Sequence, residues 1–167
     1  MSHRSAAIVV LASICTPLSG AAPAASTAEL CGDPAAGGEA VVAFCRGMDK
    51  DAAGDKDGAL AEFERAAALR PEMPEPHLML GIAHGDRQEY RRAIDEYDRY
   101  LATVPDNPFA WSNRGHAHFK LGDLAAARAD IDRAVQLAPD ERGILENRIT
   151  IARESGDWPT VAGDASR

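Results

Sequence analysis

The histidines of this sequence are its first candidates for metal binding or acid–base chemistry. Beyond the N-terminus they are His77, His84, His116 and His118. A helical zinc site commonly uses two histidines four residues apart, and none of these has a partner at that spacing. The carboxylates are numerous but show no catalytic spacing, and there is no glycine-rich phosphate loop, nucleophile elbow or Cys-x-x-Cys motif. The sequence therefore predicts no enzyme activity, no metal site and no cofactor.

The charge of the chain is strongly acidic. Its 167 residues include 18 Lys and Arg against 26 Asp and Glu, for a formal net charge of −8. Nucleic-acid binding depends on clustered Lys and Arg that neutralise phosphates. We therefore expect no nucleic-acid partner, and the length allows one ordinary domain.

Residues 1–24 have the pattern of a secretory signal peptide. A weakly basic start precedes an apolar run over residues 5–15 and an Ala-x-Ala cleavage pattern that ends at Ala24. The apolar run is shorter than the roughly 20 residues that a membrane-spanning helix needs. We expect cleavage after Ala24, with Ala21 as the competing site, and an exported, periplasmic bacterial protein with no membrane span after signal removal. The alternative is an anchor formed by an uncleaved N-terminal segment.

Two cysteines, Cys31 and Cys45, remain after that cleavage. In an oxidising compartment two remaining cysteines commonly pair. A bridge across 14 residues would stabilise the fold by roughly 3 kcal/mol through chain entropy. The alternative is a pair of separate thiols, with Cys45 as a small buried apolar side chain. The sequence leaves both alternatives open.

Glycine, alanine and proline recur together every 34 residues, which indicates internal repeats. The recurring residues are Gly47, Gly81 and Gly115, then Ala59, Ala93 and Ala127, then Pro71, Pro105 and Pro139. In the best-formed unit, Trp111, Gly115 and His118 fall on one helix face at i, i+4 and i+7 and precede a Gly-Asp turn, a second, apolar stripe and a proline stop. Each unit is therefore predicted to form two short antiparallel helices.

This period divides the chain after the signal peptide into segments. Because stacked units leave an open apolar end, we expect a capping helix after the last one. The predicted segments are an irregular leader (25–39), three units (40–73, 74–107 and 108–141), a capping helix (142–155), and an abortive turn with a frayed tail (156–167).

The repeated unit resembles the tetratricopeptide repeat. The residues that carry the resemblance are Leu80, Gly81, Ala93, Tyr97 and Pro105 in the second unit, and Trp111, Gly115, Ala127, Ala134 and Pro139 in the third. Arg46 and Arg114 depart from the family pattern because leucine is usual at their position, and Tyr100 stands where a small residue is expected. The resemblance implies an all-α, right-handed superhelical solenoid of stacked antiparallel helix pairs.

The resemblance also implies a non-enzymatic scaffold that binds a protein or peptide partner, of unknown identity, on a concave face formed by the first helices. The contact residues carried over from the family are Phe44, Met48, Leu78, Met79, Ile82, Phe109, Asn113, His116, Phe119 and Lys120. This groove is apolar and lacks the Lys or Arg lining that relatives use to bind a C-terminal carboxylate. The alternative is a structural or self-associating protein, whose groove is occupied by its own leader or by a second copy.

Overall fold

The computed structural model describes residues 31–32 and 37–157, and within these residues the chain is helical and contains no strand. Its seven complete helices are α1 (Gly38–Ala52), α2 (Lys56–Leu69), α3 (Pro74–Asp86), α4 (Tyr90–Thr103), α5 (Pro108–Lys120), α6 (Leu124–Leu137) and α7 (Arg142–Glu154). The all-α prediction is confirmed. The predicted signal peptide, most of the leader, and the tail from residue 158 lie outside the described residues.

The helices begin at residues whose chemistry favours a helix start. Pro74 and Pro108 occupy the first turns of α3 and α5, where a missing amide donor is tolerated. Asn107 accepts hydrogen bonds from two backbone amides of α5, at 3.0 and 3.1 Å. Asp55 and Asp123 each accept one from the amide three residues further along, at 2.9 and 3.1 Å. These caps satisfy donors that would otherwise have no partner within the helix.

Glycines hold the two helices of a unit close together. A methyl group placed on Gly81 would lie 2.6 Å from a ring carbon of Tyr97, and one on Gly47 would lie 2.5 Å from the ring of Phe63. Both rings come from the second helix of the same unit and are fully buried. The glycine that recurs along the sequence therefore marks the place where the first helix lies directly against the large side chain of the second.

The packing of successive helices produces two sides of different composition. Each helix packs against the next one in the chain, and in addition α3 contacts α5 and α5 contacts α7. Within the described chain, no contact of that extent joins α2 to α4 or α4 to α6. The first helices therefore form the inner, concave side of a solenoid and the second helices form its outer side. None of the described helices is long and apolar enough to cross a membrane.

The turn inside each unit and the turn after the capping helix use a left-handed residue, and the second unit departs from the others here. Gly54, Gly122 and Gly156 have φ angles of 84°, 81° and 72°, whereas the second unit has Gln88 at 62°. For a residue with a Cβ atom, this conformation is about 1–2 kcal/mol less favourable than a right-handed one. The Gln88 turn is therefore a strained point in the repeat.

Replacing Gln88 with glycine is expected to raise the free energy of unfolding by about 0.5–1 kcal/mol. Relief of the left-handed strain outweighs the added flexibility of the unfolded chain, and the exposed Gln88 side chain loses little by removal. Urea denaturation followed by circular dichroism measures the change. Gln88→Ala is the control, since it removes the same side chain but keeps the Cβ atom. A Gln88→Gly variant no more stable than Gln88→Ala would show that the turn carries no strain.

Candidate functional site

Phe44, the first of the predicted contact residues, lies in the core. Its side chain is 1% exposed, and its ring centroid lies 5.8 Å from that of Phe63 on α2. Met48, one turn further along α1, is partly buried against the same cluster. A side chain as buried as Phe44 offers no surface to a partner, so its assignment as a contact residue is wrong. Phe44 is buried because its ring packs against α2, the partner helix of its own unit.

A disulfide joins α1 to a residue of the predicted leader. Cys31 and Cys45 are bonded, with their Cα atoms 5.7 Å apart. Cys45 belongs to the inner side of α1, and Cys31 packs against the first core cluster together with Met48 and Met79. Residue 31 of the predicted leader therefore lies on the inner face of the first unit, and the two cysteines are not separate thiols in this structure.

The second unit presents apolar side chains that keep part of their surface exposed. Leu78, Met79 and Ile82 are half-buried residues of α3. Ile82 packs with Tyr97 and Ala117, so it bridges from α3 to α5 along the inner face. These three residues form the apolar part of the inner face.

The third unit supplies polar and aromatic groups beside this apolar part. His116 lies 6.3 Å from Phe119 between ring centroids, and the Lys120 ammonium lies 5.8 Å from the same ring. Asn113 is half-buried and hydrogen-bonds the buried hydroxyl of Tyr97.

The cap closes the far end of the inner face. Asn147 of α7 donates a hydrogen bond to the hydroxyl of Ser112 at 2.9 Å. Phe109 packs on the cluster formed with Ile144 and Leu145, and Phe119 packs on the same cluster while remaining half-buried. Phe109 is therefore partly used by the contact between the third unit and the cap.

The remaining exposed surface defines an inner-face patch. It consists of Leu78, Met79, Ile82, Asn113, His116, Phe119 and Lys120. An apolar centre of this kind can bury side chains of a bound segment, while the amide, imidazole and ammonium groups can hydrogen-bond its backbone carbonyls. In the described chain no group of three or more His, Cys, Asp or Glu residues could hold a metal ion.

The pKa of His116 is lowered, first by burial and then by the positive charge of Lys120. The imidazole is therefore neutral at pH 7. In the unfolded chain His116 regains its ordinary pKa near 6.5, so the unfolded state binds more protons. The stabilising contribution of neutral His116 is present above about pH 6.5 and is lost as the pH falls through the folded pKa.

Lys120→Ala is expected to raise the pKa of His116, because it removes one of the two causes of the shift and leaves burial. An NMR titration of the His116 ring protons measures this directly. Lys56→Ala removes a lysine whose ammonium is bound to Asp51 on α1 and serves as the control. An unchanged titration in Lys120→Ala would show that burial alone lowers the pKa.

A polar network around Arg114 joins three helices and has no counterpart among the predicted site residues. Its Nε and Nη2 atoms donate to the two carboxylate oxygens of Asp130 at 2.8 and 2.7 Å, and Nη1 donates to Asp98 at 2.5 Å. The guanidinium also lies 4.5 Å from the Trp111 ring centroid. Arg114 therefore joins α4, α5 and α6, and its carboxylate partners raise its pKa. The arginine at a leucine position of the repeat was the sequence signal for it.

Two buried histidines have structural partners rather than a ligand. His77 shares a hydrogen bond with Glu96 at 2.6 Å and another with the carbonyl of Pro71 at 3.0 Å. His84 lies 2.9 Å from the Glu89 carboxylate, and this hydrogen bond lowers the pKa of Glu89. Both histidines connect α3 to a glutamate of the same hairpin, and His77 also contacts the loop that precedes α3.

The sequence profile of the tetratricopeptide repeat matches this chain twice, over residues 46–108 and 78–142. Together the matches cover more than half of the chain. The chain belongs to the tetratricopeptide repeat family. Proteins of this family are generally non-enzymatic scaffolds for protein contacts, which agrees with the fold and with the polar groups of the inner face.

Several curated proteins share this tetratricopeptide region. The chain is 31% identical over 101 residues to human protein O-mannosyl-transferase TMTC1, covering 58% of this chain and 12% of that protein. It is 29% identical over 96 residues to tetratricopeptide repeat protein 36 of Mus musculus, covering 55% and 47%. It is 32% identical over 81 residues to human peptidyl-prolyl cis-trans isomerase FKBP4, covering 48% and 17%. The chain thus spans less than half the length of each of these relatives.

Solved tetratricopeptide structures have the same fold. MamA from Desulfovibrio magneticus RS-1 superposes with a TM-score of 0.70 at 20% identity, over 74% of this chain and 70% of that chain. The first TPR of Spaghetti (RPAP3), bound to the HSP90 peptide SRMEEVD, superposes with a TM-score of 0.67 at 21% identity, over 71% and 94%. At these identities the likeness concerns the fold alone, and it supports the helical solenoid.

Proposed function

We propose that this protein is a non-enzymatic binding module that holds an apolar segment of a protein partner on the inner-face patch. The observation that carries the proposal is the row of partly exposed apolar side chains Leu78, Met79 and Ile82 on the concave side. Methionine adapts its shape to different side chains, which suits a surface that binds extended peptides. The RPAP3 structure contains a bound peptide, which supports peptide binding as a use of this fold.

The charges and apolar side chains of the inner-face patch determine which kind of peptide it can bind. Recognition of a terminal carboxylate needs paired cations, and Lys120 is the cation of the patch. An acidic C-terminal peptide is therefore a poor match. The preferred ligand is an internal segment with two or more large apolar side chains, bound across the second and third units.

Occupation of the groove by the chain's own leader is a second candidate, favoured by the disulfide that places Cys31 on the inner face of the first unit. A chain that lacks residues 25–39 separates the two candidates. Stronger peptide binding with unchanged helicity would favour a self-occupied groove, whereas unchanged binding would favour a groove open in the wild-type chain.

We propose that the protein is exported and located in the periplasm. The signal-peptide pattern of residues 1–24 and the Cys31–Cys45 disulfide support it, because structural disulfides persist in oxidising compartments. The alternative is a chain held at the membrane by its uncleaved N-terminal segment.

The proposed binding face is tested with peptides selected from a random 12-residue display library on the immobilised protein. Met79→Glu combined with Ile82→Glu is expected to weaken the selected peptides about 100-fold, close to 2.7 kcal/mol, because it places charges where apolar side chains bind. Fluorescence anisotropy measures the affinity, and circular dichroism checks the fold.

The matched control is Ala125→Glu combined with Ala129→Glu. It adds the same two charges at exposed positions of α6, on the outer side. Met79→Glu alone is the second inner-face variant, should the double variant lose helicity. Equal affinities for the inner-face and outer-side variants would reject the inner-face patch as the binding surface.

A further inference from the structure

The apolar row of α3 lies between two carboxylates on the same face of that helix. Glu75 precedes Met79 by four residues, and Asp86 follows Ile82 by four. Residues spaced i, i+4, i+7 and i+11 fall on one stripe of a helix. At the rise of an α-helix, the Cα atoms of Glu75 and Asp86 are roughly 16 Å apart. The apolar centre of the inner-face patch is therefore bracketed by an acid at each end of α3.

Asp86 adjoins the polar side of the inner-face patch. Burial raises the pKa of the Tyr97 hydroxyl, and the negative charge of Asp86 raises it further. Asn113 of the patch hydrogen-bonds that same hydroxyl. Since a charge shifts a pKa in this way only from nearby, Asp86 and Asn113 both lie close to the Tyr97 hydroxyl. Asp86 is also exposed, so it places a negative charge where the apolar row of α3 meets α5.

Glu75 has the corresponding place at the other end of α3. Burial raises the pKa of the Tyr100 hydroxyl, and the charge of Glu75 acts on it in the same direction. Tyr100 belongs to a buried cluster on which Leu78 of the patch packs. Glu75 itself is partly exposed. A carboxylate therefore lies beside apolar surface at both ends of the row.

The charges of the inner face differ between the second and third units. α3 contains two acids and no lysine or arginine, and its two histidines are buried and hydrogen-bonded to glutamates of the same hairpin. Lys120 is the cation of the patch, and its ammonium lies beside the Phe119 ring on α5. The inner face is thus acidic along the apolar row and basic at the third unit.

We infer that the inner-face patch binds a partner segment in which lysine or arginine flanks the apolar side chains on both sides. This ligand class builds on the proposed function and adds the charge of the ligand. The apolar side chains pack on Met79 and Ile82, while the flanking cations meet Glu75 and Asp86. An extended chain covers roughly 16 Å in about five residues, which sets the spacing of the two cations. Complementary charges fix the register of such a segment and disfavour acidic ones.

Charge argues against the chain's own leader as the occupant of the patch. Residues 25–37 contain Glu29 and Asp33 and no lysine or arginine. Placed along α3, this segment would bring like charges together and supply no cation to either acid of α3. The leader therefore lacks the groups that the bracketing carboxylates select, whereas a basic segment of a partner protein has them.

Two parallel peptide selections test the inference. The same display library is screened on the wild-type protein and on a charge-reversed protein that carries Glu75→Lys and Asp86→Lys. The wild type is expected to enrich Lys and Arg on both sides of the apolar side chains, and the charge-reversed protein is expected to enrich Asp and Glu there. Glu64→Lys combined with Asp95→Lys is the matched control, because it makes the same charge change at exposed positions of α2 and α4. The control should select the same peptides as the wild type.

A charge swap measures the affinity behind the selection. One peptide selected on the wild type is remade with its flanking cations changed to Glu, and fluorescence anisotropy follows both forms. The change is expected to weaken binding to the wild type about tenfold and to tighten binding to the charge-reversed protein. Asp86→Asn keeps the size of the side chain and should weaken the original peptide about threefold. It replaces the charge-reversed protein if circular dichroism shows that the latter has lost helicity.

The outcomes separate this inference from the proposed function. Peptides that Met79→Glu with Ile82→Glu weakens, but that have no basic flanks or bind the charge-reversed protein equally, overturn the inference and leave the proposed function standing. Peptides that none of these inner-face variants affects reject both. Basic-flanked peptides that bind only after removal of residues 25–39 would identify the leader as the occupant and overturn the inference. A wild-type dimer in sedimentation equilibrium that the charge reversal dissociates would also overturn it, since the occupant would be a second copy.

Discussion

Phe44→Ala is expected to lower the free energy of unfolding by about 3–5 kcal/mol, the range for removing a fully buried phenylalanine. The side chain is 1% exposed and packs on Phe63 between α1 and α2. Truncation of Phe44 leaves a cavity between the two helices. The helices cannot move closer together to fill it, because Gly47 of α1 already lies against the Phe63 ring of α2. Chemical denaturation with urea measures the change.

Leu121→Ala is the control for Phe44→Ala, since Leu121 is 45% exposed and its truncation should cost little. The two variants also test the corrected role of Phe44. A Phe44→Ala protein with wild-type stability but no peptide binding would return Phe44 to the list of contact residues. A strongly destabilised protein assigns it to the core.

Asp130→Ala is expected to cost about 3 kcal/mol, because it leaves the Arg114 guanidinium partly buried without its two-pronged partner. The side chains of Arg114 and Asp130 are only 16% and 7% exposed, so water replaces the lost hydrogen bonds poorly. Asp98 still holds one nitrogen of Arg114, which limits the loss to the lower end of the range for buried pairs. Thermal and urea unfolding both report this loss.

A double variant separates the stability lost by breaking the Arg114–Asp130 pair from the stability that the intact pair contributes. Arg114→Leu restores the residue usual in the repeat, and combined with Asp130→Ala it should recover a large part of the lost stability. Asp98→Ala, at a largely exposed carboxylate, should cost less than 1 kcal/mol. A double variant as unstable as the sum of the two single variants would show that the pair is not the source of the effect.

Local sequence chemistry was sufficient to predict the helical hairpins. The close contact at Gly81 and the cap at Asp123 each depend on residues of one unit, and the cap at Asn107 acts on the helix that directly follows it. The capping residues act within a few positions of the helix that they start, and the glycine spacing repeats with the period. α1 begins at Gly38, two residues before the predicted first unit, since helix starts are set by local backbone geometry that the period does not report.

The inner face was predictable only in part, because exposure depends on what packs against a helix. Family position assigned both Phe44 and Met79 to the groove, yet the structure buries the first and leaves the second half-exposed. The burial of Phe44 comes from its contact with Phe63, which lies 19 residues further along the chain on α2. The ion pairs of Arg114 also depend on residues that are distant in sequence, since its partners Asp98 and Asp130 lie 16 residues away on either side.

Methyl NMR of the wild-type protein during titration with a selected apolar peptide tests binding at the inner-face patch most directly. Binding there predicts shifts of the Met79 and Ile82 methyl groups and of the His116 ring protons, which saturate together. The methyl groups of Ala125 and Ala129 on the exposed side of α6 should stay in place. Shifts confined to α6, with Met79 and Ile82 unmoved, would contradict a peptide-binding role for the inner face.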